Sequence, residues 1–149
     1  MNIRSALAAL ALCSAVTGCA SVVDLPFSEV PMENDTIVDS GGGSVWVFAY
    51  AAREILRMGR HVRIDGSCDS ACALFADLAR PNVCITDRAV FGFHQLTITA
   101  GPAGATETRE PPPASPDIKA WVDARGGFPS EGLLVMNANE AIAFWPLCG

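Results

Sequence analysis

A chain of 149 residues, half of them hydrophobic, has room for one domain with a real core. Its net charge is −6 and its Lys and Arg residues form no cluster, which excludes nucleic acid as an expected partner.

In chain order, the first element is Met1-Asn2-Ile3-Arg4 with the apolar run Ala6 to Ala15, a secretory signal too short to span a bilayer. Val16-Thr17-Gly18-Cys19 closes it and resembles a bacterial lipobox, which implies cleavage before Cys19 and lipid on its thiol. Residues 1–18 are then a lipoprotein signal peptide, 19–35 a tether containing Pro26 and Pro31, and 36–149 the folded domain. Losing Arg4 takes the charge from −6 to −7. Lipid would hold the domain on a membrane facing the periplasm, and Ala20, in place of an inner-membrane retention aspartate, favours the outer membrane.

Thr36-Ile37-Val38-Asp39 reads as a strand leading into Ser40-Gly41-Gly42-Gly43. Ser44 to Met58 reads as a helix, with Val47, Ala51, Ile55 and Met58 on one face and Gly59 as its stop. His61 to Asp65 is the next strand, with His61 at the surface, and Ser70 starts a helix through Leu78. Val83-Cys84-Ile85 and Ala89 to Phe93 follow as strands. The alternation predicts α/β. Thr97 to Pro116, rich in Gly, Thr, Pro and Ala, reads as a mobile loop or flap. Pro116 to Ala124 reads as a helix, and so does Asn139 to Phe144, capped by Asn137 or Asn139. Trp46, Trp121 and Trp145 read as core or loop anchors.

With Cys13 and Cys19 set aside, four cysteines remain: Cys68, Cys72, Cys84 and Cys148. In an exported chain an even number reads as disulfides, and Cys68-x-x-x-Cys72 with no nearby histidine makes a poor zinc site, so no metal is expected. Three pairings are open. An i,i+4 pair at a helix start is awkward, which favours Cys84 or Cys148 as partner to Cys68 or Cys72.

Ser70 and His94 carry the chemistry. A serine hydroxyl becomes nucleophilic when a base takes its proton and backbone donors hold the oxyanion. Ser70 heads a helix, where Ala71 N–H is free and the dipole favours negative charge. Gly42 and Gly43 offer further N–H groups before the preceding helix, and His94 follows a strand as the candidate base. Each residue has a plainer reading too: Ser70 as a helix cap, His94 as a strand-end residue, the glycines as a turn.

Taken in order, Ser40-Gly41-Gly42-Gly43, Ser70-Ala71, Phe93-His94-Gln95 and Asn137-Ala138-Asn139-Glu140-Ala141-Ile142 resemble the ClpP/crotonase superfamily, in particular its ClpP-like serine peptidases. The resemblance spans about residues 36–96 and 137–145. It implies a core of short βα units and a peptidase with Ser70 as nucleophile, His94 as base and Gly42, Gly43 and Ala71 at the oxyanion hole. A peptide or protein would be substrate, with no cofactor. The chain departs from the family in three places. Only 20 residues separate Cys19 from Ser40, so the core is truncated at its N-terminal side. No counterpart of the ring-forming handle helix follows His94. The family's triad aspartate falls near Leu133, leaving Asp117, Asp123 and Glu131 as possible substitutes. The alternative is a catalytically silent relative that binds a peptide or envelope protein, or a decaying gene product that is barely stable.

Overall fold

The structure, a computed structural model, describes residues 29–100, 105–111 and 115–149. The signal segment, the lipidation candidate Cys19 and most of the tether lie outside the described residues. Among the described residues no helix is long and apolar enough to cross a membrane.

The first half alternates β1 (Thr36–Ser40), α1 (Val45–Met58), β2 (Val62–Asp69), α2 (Ala71–Leu78), β3 (Val83–Ile85) and β4 (Val90–Phe93). The chain is therefore α/β, as its periodicity predicts. α1 forms because Phe48, Ala51, Ala52 and Ile55 recur at helical spacing and enter the core. Gly59, in the left-handed conformation, ends it by donating its N–H to the carbonyls of Ile55 and Leu56. β2 runs four residues past the expected end at Asp65, burying Val62, Ile64 and Cys68 while Arg63, Asp65, Ser67 and Asp69 face the other way.

β2 is the centre of a five-stranded sheet. β1 pairs with it in parallel on one side. On the other side β3 pairs with its first half, at Val62–Ile64, and β4 with its last residues, at Ser67–Asp69, both in parallel. The carboxyl ends of β1, β2 and β4 thus reach one rim, where an open parallel sheet presents its ligand crevice. Ser40, Asp69 and Phe93 run out there into the glycine turn, Ser70 and His94.

β7 (Leu134–Asn137) adds an antiparallel edge to β4. The sequence reading missed it, because only Met136 is fully buried and four residues are too short for a clear alternation. The expected loop from Thr97 to Pro116 instead contains a hairpin, β5 (Leu96–Ala100) with β6 (Ala105–Arg109). Its cross-strand pairs Thr97–Thr108 and Thr99–Thr106 suit β-branched residues, and the Gly and Pro residues fall outside its strands. α3 (Pro116–Asp123) begins at its proline as expected. α4 (Ala138–Ala141) is shorter than the expected Asn139–Phe144, and its cap is Asn137, which forms a capping box with Glu140. Trp145 is buried, stacks on Phe91 at 4.3 Å and donates from Nε1 to Ala76 O at 3.0 Å. Trp121 packs on Phe93, but Trp46 is 85% exposed and anchors nothing in the core.

All four expected cysteines form disulfides, Cys68–Cys72 and Cys84–Cys148. The favoured cross-pairing is overturned for a local reason. Cys68 is still on β2, and the reversal at Ser70 brings its Cα to 5.1 Å from that of Cys72. The constraint on two cysteines within a helix turn does not apply. Cys84–Cys148 spans 64 residues and fastens the tail, where Ile85 N–H donates to Pro146 O and Cys148 N–H to Ile85 O. Replacing both Cys84 and Cys148 by Ser is expected to lower stability by about 2–4 kcal/mol, read as a lower urea midpoint. An unchanged midpoint would mean the tail is held without the bridge.

Candidate active site

β2 ends at Asp69 and α2 begins at Ala71, so Ser70 alone makes the reversal, at φ 57° and ψ −120°. This is a conformation that a residue with a Cβ adopts only under strain, of order 1–3 kcal/mol. Neighbours hold it there: Ser70 N–H donates to Gly92 O at 2.7 Å, and Ser70 O accepts from Leu74 N–H at 3.2 Å. Although Ser70 occupies the N-cap position of α2, its hydroxyl makes no capping bond. The plainer reading of this serine as a cap therefore fails.

The glycine turn closes over the same reversal. At Gly42, with φ +83°, an added Cβ would lie 2.7 Å from Asp69 O and from Ser70 Cβ, and 2.9 Å from Ala71 N. Only glycine allows that approach. The N–H of Gly42 is turned away, donating to the buried Ser40 Oγ at 3.3 Å. Of the three expected oxyanion donors, Gly43 and Ala71 remain. Ala71 is the first residue of α2, where an N–H has no partner within the helix. Gly43 N–H donates to no group among the described residues.

Ser70, Ala71 and His94 line one cavity, walled by Val45, Leu74, Phe93 and Leu96 and closed beyond by Ile118 and Phe128. The strand order thus brings Ser70, Ala71 and His94 together, while Gly43 lines an adjoining groove that shares Val45, Leu74 and Leu96 with this cavity. No hydrogen bond joins Ser70 to His94 among the described residues. The cavity walls are apolar apart from Asp77, which is spoken for: it accepts from Arg80 and from Ser115 N–H and Oγ.

The acids expected to support His94 are engaged elsewhere. Asp117 pairs with Arg80 at 2.5 Å and accepts from Ser115 Oγ, which together hold its carboxyl well below the usual range. Asp123 pairs with Lys119 at 2.8 Å. Glu131 is exposed and does not line the cavity. Asp69, although it too lies outside the cavity lining, is in the electrostatic reach of His94, and no motif in the sequence points to it. Partial burial raises its pKa, His94 acts in the opposite direction, and Asp39 raises it further. Its position directly before Ser70 was the available signal. Among the described residues no group of His, Cys, Asp and Glu is placed to hold a metal ion.

No protein-family model and no curated protein sequence matches this chain.

Proposed function

We propose that this chain is a periplasm-facing, lipid-anchored serine hydrolase, a peptidase on a ClpP/crotonase-like core. The observation that carries the reading is Ser70 itself. It is held at positive φ between strand and helix, makes no capping bond, has Gly42 flush against it and shares its cavity with His94. In this reading His94 takes the Ser70 proton as Oγ attacks the scissile carbonyl, and Gly43 and Ala71 N–H hold the oxyanion. His94 then passes the proton to the leaving amine. Water releases the acyl group, again through His94, and restores the serine. A peptide or protein is the substrate, and lipid on Cys19 keeps the enzyme at the membrane, with the outer membrane favoured.

The missing Ser70–His94 hydrogen bond is the one observation favouring a second reading, a silent relative that binds a peptide or envelope protein in the same cavity. Reaction with a fluorophosphonate separates the two, since it requires an activated serine. The purified protein is expected to gain one adduct, on Ser70. A folded, unlabelled protein would leave the binding role standing.

A further inference from the structure

We infer that Asp69 is the positioning acid of this site, balancing the charge on His94 from the strand before the nucleophile. The inference rests on the Ser70–His94 reading above and starts from strand register. Asp69 pairs with Gly92 across β2 and β4, so the two residues face the same side of the sheet. Gly92 has no side chain, and the Asp69 carboxylate lies across the gap: a Cβ added at Gly92 would collide with its Oδ1. His94 lies two residues beyond Gly92 and follows the end of β4. From the other side, the β4–β7 register pairs Phe93 with Leu134, so Leu133 and His94 are the residues just beyond the ends of the pairing. Leu133 Cδ1 would lie 3.0 Å from that same added Cβ. The floor over Gly92 is therefore shared by Asp69 and Leu133, and only Asp69 carries a charge.

The Asp69 side chain makes no hydrogen bond or ion pair among the described residues. Burial disfavours its charge, Asp39 on β1 opposes it, and His94 alone favours it. Around the cavity that His94 lines, α1 and α3 bring the apolar Val45 and Ile118, and α2 brings Asp77, already bonded to Arg80. A folded-state pKa raised above the unfolded value means stability that is present at low pH and lost as pH rises through the folded pKa. The Asp69 charge therefore destabilises the fold at neutral pH, as a functional group does and a structural one does not.

Asp69→Asn separates these roles. It is expected to slow fluorophosphonate labelling at pH 7 by about tenfold or more, since base catalysis loses its counter-charge. The pH at which labelling reaches half its maximum should also fall. In the same variant the urea midpoint should rise at pH 7 and stay unchanged at pH 3, where the carboxyl is protonated in both states. Wild-type labelling rates in Asp69→Asn would overturn the inference, and so would slower labelling accompanied by a lower midpoint at pH 7. If the wild-type protein is itself unlabelled, the hydrolase reading fails, and the Asp69–His94 coupling is read separately by carboxyl carbon NMR. His94 favours the charged form of Asp69, so His94→Gln should move the Asp69 titration to higher pH. No movement there would overturn the coupling whatever the chain's activity.

Discussion

Ser70→Gly is expected to abolish fluorophosphonate labelling and at the same time to stabilise the protein. The two effects have separate causes at one residue. Labelling needs the hydroxyl, and removing a serine nucleophile eliminates the adduct altogether, a drop far beyond about a thousandfold. Stability depends on the backbone, which sits at φ 57° and ψ −120°. Glycine adopts that conformation without a Cβ penalty, relieving strain of about 1–3 kcal/mol and losing about 0.5–1 kcal/mol to its larger unfolded-state entropy. A net gain of about 1 kcal/mol should appear as a higher urea midpoint. Ser70→Ala is the control: it keeps the strain, loses the hydroxyl and should remain within about 0.5 kcal/mol of wild type, because no capping bond is lost. A serine acting as a helix cap would give the opposite pattern, with alanine about 1 kcal/mol less stable. Strain retained at a reactive serine is the signature of a site kept for function, and a destabilised Ser70→Gly would remove that argument.

What could be read from the sequence divides along the line between local and long-range information. The α1 helix and the strand before Ser70 are visible because apolar residues repeat at the period of each element. Of the face expected for α1, only Ala51 and Ile55 are fully buried, with Phe48 beside them, Val47 half-buried and Met58 exposed. Ser70, His94 and the glycine turn are visible because their residue types and order are unusual together. Asp69 is not, since its relation to His94 passes through the pairing of Asp69 with Gly92, and strand register is fixed by tertiary packing. The β7 edge escapes for the same reason: its partner β4 supplies the reason it is a strand. The disulfides show the converse error. Helix geometry disfavours a Cys68–Cys72 bridge, but the chain reverses between the two cysteines at a single residue.

The glycine turn gives the second large effect, because its residues look interchangeable in sequence and differ sharply in place. Gly41→Ala should be nearly silent, within about 0.5 kcal/mol, since nothing lies within 4 Å of the added Cβ and its φ is not positive. Gly42→Ala is expected to cost about 2–4 kcal/mol, combining the φ of +83° with contacts at 2.7–2.9 Å. The nature of those contacts decides the functional consequence. Asp69 O and Ala71 N are backbone atoms on either side of Ser70 and cannot swing aside as a side-chain tip would. Relief must come by moving the Ser70 reversal or the turn that carries Gly43, and either motion separates the hydroxyl from the N–H groups proposed to hold the oxyanion. Losing one such donor costs about a hundredfold or more, so labelling of the Gly42→Ala protein that remains folded should fall by at least that factor. Measuring the rate well below its denaturation midpoint separates this loss from unfolding. If Gly41→Ala and Gly42→Ala label alike, the turn is a connector and the oxyanion must be held by Ala71 without it.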